Sequence, residues 1–340
     1  MQDIELALEE AGLRRIDPAE MPIRRVKAGL GFSYVDPHGR TVTHRPTRRR
    51  IADLVIPPAW SEVRIAADPQ AHLQAVGRDD AGRLQYIYHE AWEDVRAQAK
   101  ALRLKRLGLV LPNLRRRVAD AIEAAELNRE MAIATAIRLI DVAVLRVGHE
   151  MYAGEESGRG AATLLKRHVR LNDSTIRLSF LGKGGKRVEK ELEDPMLLAA
   201  IERLRRLRGR RLFLDPTGPV RPLTANDINA WLGEVTGEPV TAKDFRTFHA
   251  SALALETFAR SGAPQSRTEA KRTAMAVARN VAEVLANTPT VARKSYIHPA
   301  IVTAYEAHTL SEDLLHPARR RGLSLAETGL MRFLEQTSNE

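Results

Sequence analysis

The sequence predicts an α+β protein: a small antiparallel β domain at the N-terminus, then a larger, mainly α domain containing a three-stranded β meander. Three observations predict it. Over residues 22–90, short runs rich in β-branched and aromatic residues alternate with turn signals. From about Ala91, apolar residues recur at three- and four-residue steps. Within that helical stretch, two extended runs flank Asn172-Asp173-Ser174, and a glycine-rich turn follows them.

Residues 1–16 read as a short amphipathic helix, without the basic start and apolar stretch of a signal peptide. The segments GFSYV, VIPPAW, EVRIAA, HLQAVG and LQYIYH are the candidate strands. Asp36-Pro37-His38-Gly39, Pro57-Pro58, Asp68-Pro69 and Asp79-Asp80-Ala81-Gly82 divide them. A boundary is expected near residue 90, giving domains 1–90 and 91–340. Helices are expected through 93–110, 112–126 and 128–147. Lys166–Leu171, Thr175–Phe180 and Val188–Leu192 form the meander, and its second turn presents Lys183 at the tip. Helices resume through 196–208, 225–236, 244–260, 267–286 and 299–309. The tail from Ser311 is expected to be only partly ordered, with one short helix around Leu323–Leu334.

The chain has 340 residues, which suits two domains. It contains no cysteine, so disulfides, thiolate metal sites and cysteine nucleophiles are excluded together. No apolar run is long enough to cross a bilayer, and the cytoplasm, at the nucleoid, is the expected location. The formal net charge is +10 and unevenly placed. Arg24, Arg25, Lys27, Arg40, Arg45, Arg48, Arg49 and Arg50 face the single acid Asp36 over residues 21–50. Further basic clusters lie at Lys100–Arg106, Arg115–Arg117 and Arg203–Arg211. Clustered cations suit a phosphate polyanion, and arginine forks onto phosphate oxygens.

The chain has no P-loop, no dinucleotide-type glycine fingerprint and no HExxH. Its ten histidines show no metal-ligand spacing, so neither metal nor cofactor is expected. What remains is a set of cations and one tyrosine, each beside structural punctuation. Arg146 lies in LRVGHEMY, where Gly148 is expected to end or bend a helix. Lys183 lies at the hairpin tip, and Arg246 at the start of a helix in TAKDFRTFHAS. Tyr296 lies in LANTPTVARKSYIHP, where Thr288-Pro289 reads as a helix start. Singly, each has an ordinary structural explanation. Together they match one reaction, the opening of a phosphodiester. A phenol of pKa about 10 is a nucleophile that can also leave. Two arginines stabilise charge on the non-bridging oxygens, and an amide or imidazole adds a donor. A mobile lysine can protonate the departing 5′ oxygen.

On these residues the chain resembles the type IB DNA topoisomerases, the small poxvirus-type enzymes and their bacterial relatives, from about residue 20 to 310. Ile56-Pro57-Pro58-Ala59-Trp60 and the segment Gly77–His89 look like that family's β-domain motifs. The resemblance implies that Gln85, Tyr86 and Tyr88 lie in the DNA groove. It places the first catalytic arginine on Arg146, with Gly148 and Tyr152 accompanying it. The lysine falls on Lys183, the second arginine on Arg246 and the nucleophile on Tyr296. Tyr152, Lys186 and Lys243 join the expected DNA contacts. Where the poxvirus pattern has His, nine residues before the tyrosine, this chain has Asn287, a neutral donor. The implied protein is a monomer that closes a C-shaped clamp on duplex DNA, forms a 3′-phosphotyrosyl bond and reseals it without ATP or metal. Two alternatives stand beside it. A tyrosine recombinase shares the chemistry, but its usual motif has a His where this chain has Lys243, and its N-terminal domain tends to be helical. A non-catalytic nucleic-acid-binding protein explains the charge but not the constellation.

Overall fold

Alternation along the N-terminal strands decides how their sheet is covered. β1 (Ile23–Ala28), β2 (Gly31–Val35), β3 (Ser61–Ile65), β4 (Leu73–Arg78) and β5 (Leu84–Tyr88) form one antiparallel sheet in the order β2-β1-β3-β4-β5. This computed structural model describes residues 2–124, 126–152, 158–316 and 318–337. Cross-strand partners share a face, so Ile23, Ile65, Ala75 and Ile87 form one apolar row. Helix α2 (Arg45–Asp53) covers that row with Ile51. Helix α1 (Gln2–Glu10) buries Ala7 and Leu8 against Val95 and Ala99.

One expectation for this region is corrected, and two elements were not foreseen. Val55–Trp60 is turn, not strand: Pro57 and Pro58 offer no N–H to a ladder, and Val55 has φ +46°. The strand that takes its place is β1, whose basic sequence IRRVKA hides its alternation. α2 also went unforeseen, because RPTRRRIAD has only one apolar residue that becomes buried.

The chain divides into two compact units, Met1–Leu102 and Arg103–Glu340. The division falls inside α3 (Trp92–Glu123), a single helix where two were expected. Pro112 removes one helical hydrogen bond, but Leu104, Leu107, Leu111, Leu114, Val118 and Ile122 keep one buried stripe running past it. α4 (Arg129–Ala143) starts at an Asn128 cap and stops well before Gly148. The meander follows as β6 (Val169–Leu171), β7 (Ile176–Leu181) and β8 (Arg187–Leu192), in sequence order. After it come α5 (Pro195–Arg205), the two-residue strands β9 (Leu214–Asp215) and β10 (Arg221–Pro222), and α6 (Ala225–Thr236). The remaining helices are α7 (Ala242–Arg260), α8 (Arg267–Leu285), the single turn α9 (Pro289–Val291), α10 (Pro299–Glu306) and α11 (Leu325–Gln336).

α7 is the centre of this unit, and α4, α6, α8, α10 and α11 pack on it. The tail is therefore not a loose appendage. Leu330, Met331, Phe333 and Leu334 are buried, and a Ser324–Glu327 capping box starts α11. Its partners come from α3 and α7, and their distance in sequence hid this packing. Among the described residues, no helix is long and apolar enough to cross a membrane.

Candidate active site

Two helices end beside each other with a non-glycine residue in the left-handed region, and each thereby aims a polar side chain. α4 ends at Val144 (φ +55°), and the chain turns out through Leu145 to Arg146. α8 ends at Ala286 (φ +49°), which sends the chain to Asn287. A β-branched residue in this conformation is strained, at a cost of about 1–3 kcal/mol, and persists only where its surroundings hold it. Arg246, on the second turn of α7, supplies that hold. Its Nη1 donates to the Val144 carbonyl at 2.5 Å and its Nη2 to the Leu285 carbonyl at 2.9 Å. One guanidinium therefore closes the C-termini of two helices, where carbonyls and helix dipole both favour a cation. Lys190 of β8 repeats the theme, donating to the Val284 carbonyl at 2.8 Å.

Tyr296 enters from the next turn. Thr288 caps α9, with Pro289 at its first position, and the chain widens into a π-helical turn over Ala292–Tyr296. The Ile297 N–H closes that turn on the Ala292 carbonyl at 3.0 Å. Ser251 of α7 fixes the backbone: its Oγ donates to the Tyr296 carbonyl and accepts from the His298 N–H, both at 3.1 Å. The phenol meets the cations directly. Arg146 Nη1 donates to Tyr296 Oη at 2.8 Å, and Nη2 of the same arginine donates to Asn287 Oδ1 at 2.5 Å. The Arg246 guanidinium carbon lies 5.0 Å from the centre of the Tyr296 ring. Burial pushes the phenol's pKa up, but the charges of Arg246 and Arg146, with their hydrogen bonds, outweigh it and leave it below the usual tyrosine range. Burial also pulls Arg246 down to about 10, which leaves it charged at neutral pH.

The hairpin tip completes the group. Lys183 is exposed and lines one narrow cleft with Val144, Arg146, Arg159, Lys190 and Arg246. Close glycine contacts bring this turn to the Arg146 loop. A Cβ on Gly158 would stand 2.2 Å from the Lys183 backbone nitrogen, and one on Gly148 would stand 2.8 Å from Gly160. The Arg159 N–H donates to the Leu181 carbonyl at 2.8 Å and ties the two segments. Two buried donors in the site have no protein partner among the described residues, Arg246 Nε and Asn287 Nδ2. An unmet buried donor is costly, and an anion in the cleft is the kind of ligand that relieves it.

Of the eleven residues singled out from the sequence, Arg146, Arg246, Asn287 and Tyr296 come together, with Lys183 on the same cleft. Lys243 is exposed on α7, and Lys186 is half-buried where the hairpin turn closes. The side chain of Tyr152 lies outside the described residues. Tyr86 and Tyr88 are exposed on one face of the N-terminal sheet, where Tyr86 stacks on Tyr88 and Tyr88 on Trp92. Gln85 alternates to the opposite face, beside Ile87, and donates to Asp79 Oδ2 at 2.9 Å. Gln85 thus stands on a different face from the two tyrosines with which it was grouped. Ser251 and Lys190 were missed. A serine inside an Ala/Leu helix is a weak anomaly that marks only the first of them.

Comparison with known proteins bears on this geometry. Residues 90–314 match the family described as eukaryotic DNA topoisomerase I, catalytic core, and residues 31–79 match the bacterial DNA topoisomerase IB N-terminal domain. DNA topoisomerase 1B of Acanthamoeba polyphaga mimivirus is 31% identical over 295 residues, covering 84% of this chain and 87% of that protein. The chain belongs to the type IB DNA topoisomerases. It is thus an isomerase acting on DNA, and the β sheet before its helical unit is the one that family carries rather than a recombinase's helical domain. DNA topoisomerase 1 of Mycosarcoma maydis, 26% identical over 193 residues, and that of Daucus carota, 34% over 132, also match. This topoisomerase spans only 19% and 16% of those two longer proteins.

Proposed function

We propose that Tyr296 is the nucleophile of this topoisomerase. Its Oη, ionised to the phenolate that the two arginines favour, attacks a DNA phosphorus, the bond to the 5′ oxygen breaks, and a 3′-phosphotyrosyl bond forms. Arg146, Arg246 and Asn287 hold the non-bridging oxygens, and Lys183 gives its proton to the departing 5′ oxygen. The free strand rotates, its 5′-hydroxyl returns the proton to Lys183 and attacks the phosphotyrosine, and the phenolate leaves. ATP and metal take no part. The observation that carries the reading is the 2.8 Å bond from Arg146 to the Tyr296 oxygen, with a second guanidinium over the ring. Two cations on one phenol favour phenolate and leave it beside the groups that bind phosphate.

The N-terminal unit grips duplex DNA through its exposed sheet face. Arg24, Arg64, Arg78, Leu84 and Tyr86 line one groove there, and the aromatic ladder continues it. The protein works as a monomer on cytoplasmic, nucleoid DNA. The test is plasmid relaxation in EDTA without ATP. Native protein should relax the plasmid and leave a covalent protein–DNA adduct after denaturation. Tyr296→Phe keeps the ring but should give neither. Relaxation by that variant would remove Tyr296 from the reaction.

A further inference from the structure

Beneath the site lies a buried cluster of charges that the reaction does not use. Arg115 of α3 donates from Nε and Nη2 to the two oxygens of Asp141, at 2.8 and 3.0 Å. Its Nη1 and Nη2 reach the carboxylate of Glu327, at 2.9 and 2.7 Å. His249 of α7 lies 2.8 Å from Asp141 through Nε2 and 3.5 Å from Glu327 through Nδ1. Asp141 and Glu327 are both nearly inaccessible. Burial pushes both carboxyls up, but His249 and Arg115 hold Asp141 well below the usual carboxylate range, and Arg115 lowers Glu327. Ionised carboxylates only accept, so Nε2 of His249 carries the proton toward Asp141.

Buried ion clusters are poor devices for stability alone, because desolvation offsets the attraction. The position of this one is more informative than its energy. Asp141 stands three residues before Val144, one turn earlier on α4. His249 stands three residues after Arg246, one turn later on α7. The two helices are thus joined by two adjacent rungs, Asp141–His249 and Val144–Arg246. The second rung holds the strained residue from which the chain departs toward Arg146. Glu327 brings in α11, which lies beyond the stretch matched by the catalytic-core family, 90–314.

We propose that Arg115, Asp141, His249 and Glu327 are positioning residues: by locking the last turn of α4 to α7, they fix where Val144 delivers Arg146 and where Arg246 meets Tyr296. The C-terminal helix is in this way a working part of the catalytic unit. The proposal rests on the reading of the Tyr296 site, and its test separates the two. Glu327→Gln keeps the shape and removes the charge. The Tyr296 phenol is titrated by tyrosinate absorbance in the full chain, with the Tyr296→Phe titration subtracted in each background. This reads the placement of the two arginines whether or not Tyr296 is the nucleophile. Glu327→Gln should raise the phenol's pKa by about half a unit or more as the cations withdraw. It should slow single-turnover cleavage about tenfold with DNA affinity unchanged. A lowered melting temperature with an unaltered phenol titration and cleavage rate would reduce the quartet to a structural tie and overturn the proposal. Glu327→Asp, which keeps the charge but shortens the reach, covers the case in which Glu327→Gln does not fold. It should fall between native and displaced values, and native values in it would equally overturn the proposal.

Discussion

The guanidinium groups of the N-terminal unit and those of the cleft are held in different ways. Arg24 is exposed, and so are Arg48 and Arg49 of α2. Such cations attract a polyanion over a distance, adapt to it and are screened by salt. In the helical unit Arg246 is 3% exposed and committed to two carbonyls, while Arg146 is bound to a phenol and an amide. Groups held this way cost little further reorganisation when charge develops near them, which is how donors act in catalysis. The same side chain is thus left exposed in one unit and fixed in the other, which under the proposed function suits the first to affinity and the second to chemistry. Not every arginine of the basic segment belongs to the free class. Arg50 is spent on Gln74 and on the Ala66 carbonyl, and Arg25 on the Pro57 and Trp60 carbonyls, so both hold the sheet unit together.

That division can be broken or sharpened by substitution. The largest effect is expected at Lys183, the one exposed cation assigned to the chemistry. Lys183→Ala should slow cleavage by about 10²–10⁴-fold with binding retained, the usual range for removal of a general acid. A substrate with sulfur at the 5′-bridging position needs no proton on leaving and should rescue the variant. Equal impairment on both substrates would move the role elsewhere, with exposed Lys243 next to be tried. Among the fixed groups, Arg146→Ala should cost about 10²–10³-fold. Its pH profile carries a further sign. Both arginines lower the phenol's pKa, so removing one raises it, and the rising limb of cleavage rate against pH should move to higher pH. A limb that stays in place would deny Arg146 its effect on the phenol. Asn287→Ala should cost less, because neutral donors are roughly half as strong as charged ones. The smallest effect belongs to the sheet unit. Replacing Arg48 and Arg49 by Gln should leave the cleavage step intact and flatten the salt dependence of binding, by roughly 0.9 log units of affinity per log unit of salt for each phosphate no longer neutralised. An unchanged slope would show that α2 does not touch phosphate. Adding Arg50 to that variant would confuse the result with unfolding.

The sequence made the site more legible than its surroundings. Tyr296, Arg246, Lys183 and Arg146 each sit beside a proline, a glycine or a helix start, and local rules read such marks. The meander was equally plain, since Asn172-Asp173-Ser174 and a double-glycine turn bound its strands. The parts that stayed hidden depend on partners far away in the chain. Nothing near Val144 or Ala286 announces a left-handed cap, because the carbonyl that needs holding is held by Arg246, 102 residues beyond Val144. Arg115, read as part of a basic cluster suited to phosphate, is instead spent on Asp141 and on Glu327, 212 residues away, and this pairing was hidden for the same reason. β1 and α2 were obscured differently, by arginines whose aliphatic stems and paired heads occupy positions that an apolar pattern would have marked.

The double hold exercised by Arg246 has a practical consequence for anyone who wants a silent form of this enzyme. A lysine there could reach one carbonyl but not two with a planar fork, and an alanine would release both helix ends at once. Inactivity produced at this position therefore mixes a released scaffold with any loss of chemistry. Tyr296 is different: its oxygen receives a bond and anchors nothing, since Ser251 grips the backbone instead. Under the proposed reaction, a decoy that still occupies DNA but never nicks it is best engineered by removing that single oxygen.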